Sequence, residues 1–157
     1  THEIIAVNVQ ALTDITLCLV PKMKDKGVGR ILNVASIAAF MPCPTMAVYA
    51  ATKAYVLSFS EALATEMENT GVTVSTLCPG PLATAFWSHA GLDNTYSLNV
   101  WMTPTDRAAQ AGIDALFSAT AVTTPGLANR LLTVAAGLAP RSWTRYFAHL
   151  WFKKFLK

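Results

Sequence analysis

Apolar residues recur along this chain with two different periods. From Glu3 to about Lys24 they fall at helical spacing. Two short apolar runs, Arg30–Ser36 and Val72–Cys78, each follow a glycine and are typical of strands buried in a parallel sheet. The other predicted elements are helices over 46–69, 105–117, 127–138 and from 141 onward, and a short strand over 119–124. This order of strand, helix, strand and helix predicts an α/β fold with a parallel sheet.

Composition narrows the class of protein. With 157 residues, 53% of them hydrophobic and 13% charged, the chain fits one folded domain and excludes a disordered protein. A net charge of +3 is too small to indicate nucleic-acid binding. Three cysteines cannot all pair, which predicts a reduced, cytoplasmic environment. The three histidines lack partners at zinc spacing, so no metal site is predicted.

The stretch between Arg30 and Lys53 carries no charge and has the length of a membrane span. It also contains polar residues and two prolines, Pro42 and Pro44, which are incompatible with one continuous helix. No membrane span is therefore predicted.

Candidate catalytic side chains collect where the predicted strands end. In an open parallel sheet the functional crevice lies at the carboxyl ends of the strands, which here are Ser36 and Pro79–Gly80. The helix between them starts at the same edge and carries Tyr49 and Lys53 on one face, at spacing i, i+4. An ammonium beside a phenol lowers the phenol pKa from about 10. Tyr49 can then exchange a proton with an alcohol or carbonyl oxygen that Ser36 also hydrogen-bonds.

These residues resemble the motifs of the short-chain dehydrogenase/reductase family. Tyr49–Lys53 is similar to its YxxxK motif, and Ser36 precedes the tyrosine at the family's spacing. Pro79–Thr84 resembles the PGxxxT segment, and Asn8 resembles the helix asparagine of the family's Asn-Ser-Tyr-Lys tetrad. The match in order and spacing covers residues 1 to about 118.

The resemblance implies a role for each matching residue. Tyr49 is the expected general acid/base, and Lys53 is expected to lower its pKa and to hold the nicotinamide ribose. Ser36 is expected to polarise the substrate carbonyl, and Asn8 to anchor a water that links Lys53 to solvent. The implied cofactor is NAD(P)(H), with NADP(H) slightly favoured. The further residues expected to contact the cofactor are Pro79, Gly80, Leu82 and Thr84.

The aromatic stretch over 86–102 corresponds to the substrate-binding loop of that family. Phe86 and Trp87 are the expected substrate contacts, which favours an apolar substrate. The same stretch is equally compatible with ordinary core packing, since aromatic clusters are often packing.

The family's glycine-rich TGxxxGxG turn is absent from the sequence. We therefore expect a partial Rossmann-type, doubly wound parallel sheet that is incomplete at its N-terminus. Residues 1–157 then form the catalytic later part of a single domain. Its core motifs lie in 1–118, and its substrate-side and C-terminal helices lie in 119–157.

The leading hypothesis is an NAD(P)(H)-dependent dehydrogenase or reductase that acts on a small carbonyl or alcohol. Without the glycine-rich turn, this chain alone is expected to bind the cofactor weakly or not at all. The alternative is a catalytically silent half-domain that acts through binding.

By resemblance, helices 3–24 and 46–69 form the contact of a homo-oligomer. A third hypothesis places the basic, aromatic segment 141–157 on a membrane surface. Docking of that helix on protein is favoured, because its aromatic residues surround the helix.

Overall fold

The computed structural model describes residues 2–82 and 102–152. The predicted α/β class is confirmed, and each predicted helix and strand is present within a few residues of its expected bounds. The elements are α1 (His2–Lys26), β1 (Gly29–Val34), a 3₁₀ turn (Ile37–Phe40), α2 (Ala47–Glu66), β2 (Val72–Leu77), α3 (Thr105–Ser118), β3 (Val122–Thr123), α4 (Leu127–Leu138) and α5 (Arg141–Phe152).

The three strands form one parallel sheet in the order β1-β2-β3. Two glycines set the register where the first two strands begin. Gly27 ends α1 with φ 65°, and Gly71 precedes β2 with φ 78°, a region that favours glycine. A Cβ on Gly71 would overlap the backbone of Gly27, so the two turns pack directly against each other. Gly29 therefore lies opposite Val72 at the start of the pair.

Helices cover both faces of the sheet. On one face α1 and α2 pack against β2 in a core whose buried members are Val20, Leu63, Met67, Val72 and Val74. On the other face Gly112 of α3 lies against the side chains of Leu32 and Leu77. A Cβ at Gly112 would lie 3.1 Å from Leu77 and 3.2 Å from Leu32, so glycine permits this close approach.

β1 is less buried than a doubly covered strand should be, so that part of the sequence prediction is wrong. Only Asn33 among its six residues is fully buried, whereas five of the six residues of β2 are buried. The cause is position in the sheet, because β2 lies between two strands and β1 pairs with β2 alone among the described residues. Asn33 compensates for its own burial by donating a hydrogen bond of 2.9 Å to Ser60 on α2.

The hydrogen bonds at the ends of β1 show which residues face its open edge. The amides of Gly29 and Ala35 donate to carbonyls of the β2 side, at 3.2 Å and 2.8 Å. Successive residues of a strand direct their backbone groups to alternate sides. Arg30, Leu32 and Val34 therefore direct their amides and carbonyls away from β2.

α1 contains a π-helical stretch, Ala6–Ala11, within an otherwise α-helical run. It is the one helix among residues 2–82 and 102–152 that is long and apolar enough to cross a membrane by length and composition. This is weak support for a span, since core helices of soluble proteins pass the same test. The uncharged stretch 31–52, for which no span was predicted, forms strand, 3₁₀ turn and helix rather than one continuous helix.

Candidate active site

Ser36 lies just beyond β1 and begins the 3₁₀ turn that follows. Its hydroxyl accepts a hydrogen bond of 3.2 Å from the amide of Ala38 and donates one of 3.5 Å to the carbonyl of Pro79. The amide of Ile37 donates to the same Pro79 carbonyl at 3.0 Å. The ends of β1 and β2 are thus tied together at the edge where the sequence placed the site.

Tyr49 and Lys53 lie on the first turns of α2, beside Ser36. The Ser36 hydroxyl is close enough to Tyr49 for hydrogen bonding between them to lower the pKa of Tyr49. The Lys53 Nζ atom lies 5.7 Å from the centroid of the Tyr49 ring. It donates a hydrogen bond of 2.9 Å to the carbonyl of Val34, at the end of β1. The structure therefore brings together the three side chains that the motifs singled out.

The protonation of this group differs from the expectation. Burial raises the pKa of Tyr49 above its ordinary value of 10.0, the hydrogen bond with Ser36 opposes that rise, and nearby Cys43 adds to it. Burial also lowers the pKa of Lys53 below its ordinary value. The net pKa of Tyr49 is thus higher than the spacing alone predicted, because burial of the phenol outweighs the influences that lower it. The Lys53 ammonium is bonded to a backbone carbonyl, and burial of the phenol dominates.

Asn8 reaches the site through a residue that sequence reasoning missed. Its Nδ2 atom donates a hydrogen bond of 3.1 Å to Oγ1 of Thr52, and that hydroxyl donates one of 2.7 Å to the carbonyl of Tyr49. Asn8 lies in the π-helical stretch of α1, a feature that is frequent at functional sites. The sequence signal for Thr52 is its place inside the Tyr49–Lys53 motif. Its partner lies 44 residues away, so the contact itself has no sequence signature.

Gly80 and its neighbours form the wall after β2. The position of a Cβ on Gly80 is taken by the side chain of Asn129 from α4. Asn129 is buried and donates hydrogen bonds to Thr103 Oγ1 at 3.2 Å and to the Pro125 carbonyl at 2.9 Å. Leu82 pairs with Thr103 in an isolated parallel bridge. Gly80 therefore permits close packing by Asn129, a second neighbour of the site that sequence reasoning missed.

Three of the predicted contacts lie outside the described residues. These are Thr84, expected at the cofactor, and Phe86 and Trp87, expected at the substrate. Among residues 2–82 and 102–152, no group of three His, Cys, Asp or Glu side chains could hold a metal ion.

Comparison with known proteins identifies the family. The family model described as short chain dehydrogenase matches residues 1–95. The chain belongs to the short-chain dehydrogenase family. As a member of that family, it is similar over about half of its length to several curated proteins. A sulfoacetaldehyde reductase of Chromohalobacter salexigens is 43% identical over 86 residues, which are 54% of this chain and 34% of that protein.

Two further comparisons show how much of a short-chain dehydrogenase the chain spans. Nodulation protein G of Azospirillum brasilense is 38% identical over 81 residues, 52% of this chain and 33% of that protein. A short-chain dehydrogenase from Sphingobium yanoikuyae, solved in complex with NADPH, is 30% identical with a TM-score of 0.73. The superposition covers 83% of this chain and 51% of that one. The chain thus matches about a third of the curated relatives' length and has the fold of part of a Rossmann-type domain.

Proposed function

We propose that this chain carries the proton-transfer site of an NAD(P)(H)-dependent oxidoreductase that interconverts a carbonyl and a secondary alcohol. The convergence of Ser36, Tyr49 and Lys53 at the carboxyl ends of β1 and β2 is the observation that carries the proposal. The relative solved with NADPH supports the nicotinamide cofactor, and the relative named as an aldehyde reductase supports carbonyl reduction. Both matches span only part of those proteins, so the proposal concerns the intact enzyme.

Tyr49 acts as the proton donor when the carbonyl is reduced. Its O–H bond breaks, and a new O–H bond forms on the substrate oxygen, which leaves a phenolate on the protein. Because burial raises its pKa, Tyr49 is protonated at neutral pH and is ready for this role. The Ser36 hydroxyl turns its hydrogen from the Pro79 carbonyl to the same substrate oxygen and polarises the carbonyl. The Lys53 ammonium, 5.7 Å from the ring, stabilises the phenolate that remains.

The residues at the strand ends fit the nicotinamide end of a dinucleotide. A lysine ammonium has three hydrogen-bond donors, and Lys53 places one on the Val34 carbonyl. Its other donors suit the ribose hydroxyls. When bound, the dinucleotide supplies the hydride. In this proposal the backbone of Leu82 and the hydroxyl of Thr84 hold the carboxamide, and Asn8 anchors the water of a proton relay.

The decisive experiment compares two tyrosines of α2 in the intact protein. Tyr49→Phe removes the proton donor and should lower kcat for carbonyl reduction by at least ~100-fold, the usual contribution of a positioned general acid. Tyr55→Phe is the matched control, because Tyr55 is half-exposed and hydrogen-bonds Thr13 on α1 instead. A parallel fluorescence titration with NADPH and with NADH measures cofactor binding in both variants.

The outcomes separate the leading function from its alternative. Turnover that Tyr49→Phe abolishes, with NADPH binding retained, supports the proposed role. Equal turnover in the wild type and Tyr49→Phe would refute it. An intact protein that neither binds a nicotinamide dinucleotide nor reduces carbonyls is instead a silent or binding half-domain. The preference for an apolar substrate stays a prediction from Phe86 and Trp87.

We also propose that the protein forms a homo-oligomer through α1 and α2. The support is the exposure of large apolar side chains along α1, namely Ile4, Ile5, Val7, Ile15, Leu17 and Leu19. Light scattering of the Ile15→Glu variant tests this, because a charge there should reduce the oligomer to a smaller species. An unchanged mass would exclude this face as the contact.

A further inference from the structure

The wall after β2, which comprises Pro79–Leu82, has few backbone groups with which to hold its own conformation. β2 itself ends at Leu77. Proline has no backbone N–H, so Gly80 supplies the one amide hydrogen of the run Pro79–Pro81. The wall must therefore be fixed by its carbonyl groups and by the side chains that pack against it.

The first and last carbonyls of that run are hydrogen-bonded to different parts of the chain. The Pro79 carbonyl accepts from the Ser36 hydroxyl at 3.5 Å and from the Ile37 amide at 3.0 Å. The Pro81 carbonyl accepts from the amide of Thr103 at 2.9 Å. The position of the wall relative to Ser36 therefore depends on what holds Thr103.

Thr103 is held by the buried side chain of Asn129 on α4. The Nδ2 atom of Asn129 donates to Thr103 Oγ1 at 3.2 Å and to the Pro125 carbonyl at 2.9 Å. A carbonyl oxygen can only accept, so the bond to Pro125 fixes which end of the amide is the donor. Both hydrogens of Nδ2 are then used, and the side chain has one orientation. Asn129 thus joins Thr103 to the turn that begins α4.

Asn129 also packs against the middle of the wall. A Cβ on Gly80 would lie 2.6 Å from both Cγ and Oδ1 of Asn129, so nothing larger than glycine fits there without movement. The wall is therefore contacted by Asn129 directly at Gly80 and indirectly, through Thr103, at the Pro81 carbonyl. Asn129 is 4% exposed, so it acts on a bound molecule only through these neighbours.

We propose that Asn129 positions the backbone of Pro79–Leu82 for the nicotinamide end of the cofactor. This inference rests on the proposed function, in which the backbone of Leu82 holds the carboxamide. A backbone that is fixed before the cofactor arrives loses less conformational freedom on binding, which strengthens binding. Asn129 is a positioning residue in this account, because it contributes to cofactor affinity and leaves the proton transfer to Ser36 and Tyr49.

The test is isothermal titration calorimetry of the intact protein with the dinucleotide that it binds more tightly, NADPH or NADH. The second ligand is the matching ADP-ribose 2′-phosphate or ADP-ribose, which lacks the nicotinamide. Asn129→Ala should raise the Kd of the dinucleotide about tenfold and leave the Kd of the second ligand within ~2-fold of wild type. In steady-state kinetics the KM for the dinucleotide should rise while kcat is retained, as expected when uniform binding is lost.

A milder variant and a matched control complete the design. Thr103→Val keeps the shape of Thr103 but removes the Oγ1 acceptor, so it should raise the Kd of the dinucleotide less than Asn129→Ala does. Thr133 is also buried on α4, one turn after Asn129, and its hydroxyl bonds the Arg130 carbonyl of the same helix at 3.0 Å. Thr133→Val should therefore bind both ligands as the wild type does. Circular dichroism at the titration temperature confirms that each variant is folded.

The outcomes distinguish this inference from the proposed function. An unchanged Kd of the dinucleotide in Asn129→Ala overturns the inference alone. So does an equal loss of affinity for both ligands, or a loss in Thr133→Val as large as that in Asn129→Ala, since either would show a general effect on the fold. A wild-type protein that binds neither NADPH nor NADH overturns the inference together with the proposed function.

Discussion

Asn129 holds α4 against the end of β2, and its removal should destabilise the protein strongly. In Asn129→Ala two buried hydrogen bonds are lost, to Thr103 and to the Pro125 carbonyl. Each contributes about 1 kcal/mol net, and leaving buried partners unsatisfied costs more. The free energy of unfolding should therefore fall by about 2–4 kcal/mol. Arg130→Ala, at the exposed neighbouring position, is the control and should stay within ~0.5 kcal/mol of wild type.

Gly80 makes this prediction sharper. A methyl group on Gly80 would overlap Asn129 side-chain atoms, and Gly80 is not among the glycines with positive φ. Gly80→Ala should thus destabilise through that overlap alone, and Asn129→Ala should relieve it. In a double-mutant cycle the two losses should fall short of additivity by about 1–2 kcal/mol.

Urea unfolding followed by far-ultraviolet circular dichroism measures all four variants at one protein concentration. If Asn129→Ala were as stable as Arg130→Ala, the two hydrogen bonds would carry no net stability. If the losses in Gly80→Ala and Asn129→Ala simply added, the packing of Asn129 on Gly80 would not be the constraint that we infer.

Three further predictions concern buried polar groups. Thr76 is fully buried, and its hydroxyl has no hydrogen-bond partner among the described residues, so Thr76→Val should stabilise the protein by about 1 kcal/mol in urea unfolding. Ser75→Ala removes a hydrogen bond to the Ala115 carbonyl and should lower the free energy of unfolding instead. If both variants shifted the free energy of unfolding in the same direction, this account would be contradicted. Thr52→Val should lower the free energy of unfolding by about 1–2 kcal/mol, because the hydrogen bonds that link Asn8 to Tyr49 are lost. Thr52→Ser keeps the hydroxyl and should restore the stability. A Thr52→Ser variant as unstable as Thr52→Val would refute the link. Burial raises the pKa of Cys78 from 9.0 to about 12, so the folded state holds a proton that the unfolded state releases, and the stability present below pH 9 is lost as the pH rises. Between pH 10 and 11 the free energy of unfolding of the wild type should fall more steeply with pH than that of Cys78→Ala, by about 1.4 kcal/mol per pH unit. The exposed Cys18→Ala is the control and should fall as the wild type does. Parallel falls in the wild type and Cys78→Ala would exclude the effect.

Local patterns predicted the elements and the grouping of Tyr49 with Lys53 because both depend on short spacings. Helical periodicity located α1 and α2, and the i, i+4 spacing placed Tyr49 and Lys53 on one face. The burial of β1 could not be predicted from its apolar run, since burial depends on which strands lie beside it. Likewise, the spacing could not show that the Lys53 ammonium bonds the Val34 carbonyl.

The contacts that sequence reasoning missed are those made by tertiary packing. Thr52 meets Asn8 across 44 residues, and Asn129 meets Thr103 across 26. No periodicity links such positions, because their proximity arises only when the helices pack on the sheet.

The bond from Lys53 to Val34 also limits how far another strand can extend along the sheet. Arg30, Leu32 and Val34 direct their backbone groups to the open edge of β1, and Lys53 occupies the last of these carbonyls. A strand that adds to this edge can bond fully at Arg30 and Leu32 but loses its partner carbonyl at Val34. The ammonium that we propose stabilises the phenolate therefore also acts as a register stop, which ends strand addition before it reaches Tyr49.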